Sequence, residues 1–132
     1  KIVMRVGFLR AWREALEREV RASPRTPQND PYKAAVDDLA VGLSARLGWP
    51  TLVGYNEFCA PTVDEAIDQT IADGAGRVIV LPTMLVRGND HTEREIRKAV
   101  DRARERHPAV DLRYAWPFDQ EQLIELLAER NP

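Results

Sequence analysis

The chain has 132 residues, enough for one domain built on one core. Hydrophobic residues make up 44% and charged residues 30%, an ordinary soluble balance, and the net charge of −2 argues against nucleic acid or an anionic membrane as the main partner. No apolar run approaches the roughly 20 residues that span a bilayer, no leader pattern opens the chain, and the single Cys59 excludes an internal disulfide framework and suits a reducing, cytoplasmic compartment.

Lys1 to Met4, or as far as Phe8, reads as a strand, because Ile2, Met4, Val6 and Phe8 alternate with other residues. The chain opens on Lys1 rather than methionine, so the encoded protein is expected to include more than these residues. A helix follows, with Leu9, Trp12, Leu16 and Val20 on one face. Ser23 to Pro31 is a proline-rich connection without a period. Asp30 then Pro31 is a helix start, an N-cap followed by proline at the first helical position. Val36, Leu39, Leu43 and Leu47 form the stripe expected to be buried, Gly48 the C-cap, and Pro50 lies just beyond. Thr51 to Glu57 is expected to be the second strand. Thr62 and Glu65 have capping-box spacing ahead of a helix lined by Val63, Ala66, Ile67 and Ile71, which Gly74 and Gly76 end.

Val78 to Leu81 is a short, wholly apolar run, expected to be a strand buried on both faces. Pro82 ends it, because proline cannot donate to the ladder. A polar loop with Gly88 and Asn89 leads to His91, and Thr92 with Glu95 repeats the capping-box spacing before a helix carried by Ile96, Ala99, Val100 and Ala103. Val110 to Ala115 reads as the fourth strand. Asp119 caps a last helix with Leu123, Ile124 and Leu127.

Alternating strands and helices predict an α/β domain over residues 1–132, with a four-stranded parallel sheet flanked by helices. The flavodoxin-like order 2-1-3-4 is expected, with its switch point between the first and third strands. His91 then projects from the carboxyl edge, where ligands bind in such sheets.

A neutral imidazole there can bind a divalent metal or take a proton, and a helix amino terminus disfavours its charged form. An exposed loop histidine is the other reading. Glu57, at the carboxyl end of the second strand, could join a metal site or shuttle protons; an exposed acid near a helix start is the common alternative. Cys59 is better read as a small core residue, and His107, before Pro108 at a helix end, as structural. Arg87 is a candidate for anionic substrate groups. Gly74-Ala75-Gly76 precedes a strand, whereas a dinucleotide fingerprint follows one, so no nucleotide site is expected.

Four stretches carry a resemblance: Asn29-Asp30-Pro31-Tyr32-Lys33, Tyr55-Asn56-Glu57-Phe58-Cys59-Ala60-Pro61, Val80-Leu81-Pro82-Thr83-Met84-Leu85 running into Arg87-Gly88-Asn89-Asp90-His91, and Tyr114-Ala115-Trp116-Pro117-Phe118. In this order and spacing the chain resembles the CbiX and SirB family, the small sirohydrochlorin chelatases of the class II, chelatase-like fold. The resemblance implies ATP-independent insertion of Co2+ or Fe2+, with Ni2+ also possible, into sirohydrochlorin or a related tetrapyrrole, in cobalamin or siroheme biosynthesis. It implies metal ligation by Glu57 and His91, and contact of the macrocycle's carboxylates with Arg87 and the backbone of Gly88 and Asn89. A homodimer is expected, since one small domain covers a flat macrocycle poorly. The family also places a histidine after the first strand, where this chain reads Arg5-Val6-Gly7-Phe8-Leu9-Arg10. An interruption of the chain between Met4 and Arg5, or within the next few residues, is therefore expected; an unbroken chain from Lys1 to Trp12 favours a non-catalytic metal- or tetrapyrrole-binding member. An unrelated flavodoxin-like module, a receiver or flavin carrier, fits less well: no aspartate ends the third strand and no phosphate loop follows the first.

Overall fold

The computed structural model describes Ile2 to Asn131 except Glu57 and Phe58, with side chains described from Arg10 onward. The chain forms two compact units, Lys1–Thr62 and Val63–Pro132.

In the first unit, α1 runs over Ile2–Ala22 and α2 over Pro31–Leu47. The expected first strand is not formed: α1 passes unbroken through Met4 and Arg5, so no interruption separates a strand from a helix there. The reason lies in the periodicity. Val6, Leu9, Trp12 and Leu16 continue a helical stripe backwards, and a helix satisfies its own backbone groups where a strand needs a partner. Helix α2 starts and stops as the sequence predicts. The Asp30 Oδ1 accepts from the Lys33 backbone N–H at 2.9 Å, Pro31 occupies the first turn, and Gly48 closes the helix at φ 68°. That left-handed conformation favours glycine, and its N–H reaches the Ser44 carbonyl at 2.9 Å. The stripe expected to be buried is not: Leu39 is 60% exposed and no residue of α2 is buried. Thr51 to Asn56 is not a strand either. Its described residues carry a single parallel bridge, Tyr55 with Thr62.

The second unit holds α3 (Val63–Ala72), β1 (Arg77–Val80), a π turn (His91–Glu95), α4 (Ile96–Arg106), β2 (Asp111–Tyr114) and α5 (Gln120–Ala128). The two strands are parallel, pairing Arg77 with Asp111 and Val80 with Tyr114, with α4 in the crossover. Among the described residues the sheet therefore has two strands rather than four, and the 2-1-3-4 order is not formed. Its core joins Ile67 of α3, Val78, Leu112, and Ile96, Val100 and Ala103 of α4. The α4 stripe, Ile96, Ala99, Val100 and Ala103, is buried as its spacing predicts. Full burial of an aliphatic side chain stabilises by roughly 1.5–3 kcal/mol, and Val100 is 0% exposed. Strand β1 is covered on one face only: Val78 is buried and Ile79 is 42% exposed. Helices α3 and α4 are further tied by charge. Arg102 reaches Asp64 at 2.6 Å, Arg106 reaches Asp64 at 3.2 Å and Asp68 at 2.9 Å, and the His107 Nε2 reaches Asp68 at 2.7 Å. His107 thus serves the helix pair, in keeping with its structural reading.

Candidate functional site

After β1 the chain runs through a loop to Asn89, which starts the next helix three residues before Thr92. The Asn89 Oδ1 accepts from the Thr92 backbone N–H at 2.9 Å, and its amide donates to the Val86 carbonyl at 3.0 Å. Asn89, not Thr92, is the capping side chain. Thr92 is 0% exposed, and its hydroxyl lies 3.4 Å from the Asn89 carbonyl. The Gly88 N–H donates to the Glu93 carboxylate at 3.2 Å, and Gly88 has φ 90°, a conformation that suits glycine. Exposed Asp90 and Arg94 pair across one turn at 2.5 Å, and the hydrogen bond from Arg94 lowers the Asp90 carboxyl below its usual range.

His91 opens the π turn, in which the Ile96 N–H bonds the His91 carbonyl five residues back. Such single π turns occur often at functional sites. The His91 Nδ1 stands 2.5 Å from the Glu95 Oε2, with the two side chains 39% and 43% exposed. From the last residue of β2, the Tyr114 hydroxyl donates to the Thr92 carbonyl at 2.8 Å. That bond sets the π turn at the carboxyl edge of the β1–β2 pair, the edge expected from the sequence. Burial raises the Tyr114 phenol, against the Arg97 guanidinium stacked 5.5 Å from its ring. The phenol therefore keeps its proton and remains a donor.

Of the residues singled out in the sequence, His91, Gly88 and Asn89 fall in this one loop and turn. Gly88 and Asn89 have their polar groups engaged in shaping it. Arg87 is exposed and forms no ion pair among the described residues. Glu57 lies outside the described residues. Cys59 is buried, as its core reading anticipates. The sequence reading assigned Glu95 to a capping box and did not foresee its contact with the histidine. The signal was present in the four-residue spacing, which puts two side chains on one helical face. The role of Tyr114 as a hydrogen-bond anchor was not foreseen from the sequence.

The first unit carries a separate polar cluster, in a groove of about 610 Å³ between α2 and the segment from Thr51 to Pro61. The Asp37 carboxylate accepts from the Tyr55 hydroxyl at 2.9 Å and from the Lys33 ammonium at 2.5 Å. Burial, and then the hydrogen bond to Asp37, push the Tyr55 phenol up to about 12. The Lys33 hydrogen bond lowers Asp37, and its counterpart raises Lys33. This cluster holds Tyr55, two residues ahead of Glu57, against α2.

Fold and site together define an α/β protein that presents a histidine–carboxylate pair at the carboxyl edge of a parallel strand pair. The CbiX family model matches residues 28–131, through both units, and the chain belongs to that family. It is 29% identical over 79 residues to a sirohydrochlorin ferrochelatase of Priestia megaterium, covering 59% of this chain and 29% of that protein. It is 37% identical over 77 residues to a sirohydrochlorin cobaltochelatase of the same organism, covering 58% of this chain and 25% of the relative. A sirohydrochlorin cobaltochelatase of Methanococcus aeolicus is 43% identical over 44 residues, covering 33% and 30%. The matched stretches thus span less than a third of the length of these relatives.

Proposed function

We propose that this protein is a metal chelatase that inserts Co2+ or Fe2+ into sirohydrochlorin or a related tetrapyrrole, in cobalamin or siroheme biosynthesis. The observation that carries the reading is His91, seated with a carboxylate partner at the carboxyl edge of β1 in a chain of the CbiX family. The names of the relatives support both metals as substrates, and Ni2+ is the third metal of the proposal. Insertion must strip water from the cation and remove the pyrrole protons. His91 and Glu57 are the proposed metal-binding and catalytic residues. The imidazole holds the metal loosely and then, once the metal has passed to the macrocycle, accepts a proton, while the Glu57 carboxylate offsets charge. Open coordination positions let the pyrrole nitrogens take over. The Arg87 guanidinium meets a peripheral carboxylate of the macrocycle, on a loop whose shape Gly88 and Asn89 set. The reaction uses no nucleotide, and residues 1–132 act as one chelatase-like domain of a cytoplasmic homodimer whose ligand is the tetrapyrrole rather than nucleic acid. No helix among the described residues is long and apolar enough to cross a membrane.

The direct test mixes purified protein with sirohydrochlorin and Co2+ or Fe2+ and follows the absorption spectrum. Insertion faster than the spontaneous rate is the expected result; a rate equal to it would sink the reading. A second reading, a non-catalytic metal- or tetrapyrrole-binding member, draws on one observation. The two histidines of the sequence are His91 and His107, so the stretch Arg5 to Arg10, where the resemblance implies a further histidine, carries none and lies in α1. Binding of Co2+ or macrocycle without insertion would select it. Light scattering at micromolar concentration tests the dimer, which a monomeric mass would refute.

A further inference from the structure

We propose that Arg97 is a substrate-binding residue: its guanidinium, seated on the Tyr114 ring at the carboxyl edge of the β1–β2 pair, takes a peripheral carboxylate of the macrocycle through its planar N–H fork. This inference rests on the chelatase reading for the identity of the anion. The arginines of the second unit divide into two sets. Arg77, Arg94, Arg102, Arg104, Arg106 and Arg113 each reach a carboxylate of this chain. Arg87, Arg97 and Arg130 form no ion pair among the described residues. Arg130 lies beyond α5, whereas Arg87 and Arg97 stand before and after His91 in the chain. The guanidinium groups not matched to a carboxylate are thus gathered where a polycarboxylate ligand would lie.

An exposed cation over an aromatic ring contributes about 0.5–1 kcal/mol and could serve packing alone. The surroundings of Arg97 argue for more. Its guanidinium carbon is 5.5 Å from the centre of the Tyr114 ring, and Tyr114 is the last residue of β2. The Tyr114 hydroxyl donates to the carbonyl of fully buried Thr92, and Ile96, next to Arg97, is buried at 7% exposure. Ring and helix are therefore both fixed, so the exposed guanidinium is carried on a rigid element, as a preorganised binding group requires. A contact with the ring face leaves the N–H donors for an anion, and a guanidinium fork matches a carboxylate in two bonds. Glu93, one turn back on α4's leading turn, receives the Gly88 N–H at 3.2 Å and forms no ion pair with Arg97.

The test uses the full chain and metal-free sirohydrochlorin, whose own fluorescence reports binding. Arg97→Gln is expected to raise Kd roughly tenfold, the loss of one charge-assisted hydrogen-bonded pair, and to make Kd less sensitive to salt. Arg77→Gln removes the same charge from the amino end of β1 and is expected to leave both quantities unchanged. An unchanged Kd in Arg97→Gln overturns the proposal. So does a raised Kd that keeps the salt dependence of the wild type, which would assign the loss to packing against Tyr114. Equal losses in both variants overturn it as well, by assigning them to net charge. Should Arg97→Gln fail to fold, Arg97→Lys decides: weaker binding is expected because a point charge lacks the planar fork, and the wild-type Kd overturns the proposal. A wild type whose macrocycle binding depends on Arg97 but which inserts no metal refutes the chelatase reading and leaves the role of Arg97 standing. Metal insertion by the wild type, with Kd unchanged in Arg97→Gln, does the reverse.

Discussion

Residues Lys1–Thr62 and Val63–Pro132 contain comparable amounts of regular structure, yet they are held in different ways. The first unit has two long helices with apolar stripes, α2 closed by the Asp30 and Gly48 caps, and Cys59 is its one buried apolar residue among those described. Trp12 is 57% exposed, although it sits on a helical stripe. In the second unit, shorter helices and two short strands converge on Val78, Val100 and Leu112. The difference shows that amphipathic spacing fixes which face of a helix is available for burial, and that burial itself requires a facing element. The β1–β2 pair supplies that element for α3 and α4. The histidine–glutamate pair belongs to the unit that has such a core, and a loop pinned to a core can hold a metal ligand in place.

The contrast can be broken or sharpened by experiment. The largest expected effect is on chemistry. His91→Ala should reduce metal insertion to the spontaneous rate while circular dichroism stays native, because the half-exposed ring carries little of the core. His107→Ala should keep insertion near normal; equal losses in both would assign the chemistry to neither ring.

Next in size is packing. Leu112→Ala removes a buried side chain and should cost about 2–5 kcal/mol in urea unfolding, whereas exposed Leu39→Ala should cost less than about 0.5 kcal/mol. Similar losses at both positions would mean that α2 is covered in solution, and the contrast between the units would fail.

A smaller effect is expected at the polar cluster of the first unit. Tyr55→Phe removes one hydrogen bond to Asp37, about 0.5–1.5 kcal/mol. Ultraviolet titration of the wild type should show a phenol ionising near pH 12, and that step should vanish in the variant. Its persistence would assign the high value to another tyrosine.

The smallest effect concerns the charged seam between α3 and α4. The hydrogen bond from Arg102 holds the Asp64 carboxyl below its usual value. Burial pushes Asp68 up, but bonds from His107 and Arg106 outweigh it and leave it lowered. Groups with lowered folded values contribute stability that is complete above the unfolded value of about 3.9 and is lost as pH falls through the folded value. The double variant Asp64→Asn, Asp68→Asn should therefore be less stable than wild type at pH 6, by about 1 kcal/mol per pair at most given solvent screening. The gap in urea midpoints should narrow as pH falls below about 3.9, the unfolded carboxyl value. A gap that is constant with pH would mean that packing, not charge, joins these helices.

Local chemistry was legible in the sequence wherever a residue acts on its own neighbours. Asp30, Pro31 and Gly48 bounded α2, Asp119 capped α5 with its carboxylate 3.0 Å from the Gln122 N–H, and the α4 stripe named its buried face. The runs at Val78 and Val110 marked the two strands, and the order of loop, His91 and helix placed the histidine at their carboxyl edge. Pairing and covering were not legible. The alternation at Ile2, Met4, Val6 and Phe8 fits a strand only if a neighbour completes its ladder, and a helix needs none. The stripe of α2 was correct as a pattern but says nothing of what faces it. The spacing of His91 and Glu95 was legible, but the anchoring of their turn by Tyr114 was not, since that residue reaches the Thr92 carbonyl from 22 residues away in the chain. Contacts at that separation are products of packing, because side-chain spacing along a sequence reports only the geometry of the element in which it occurs.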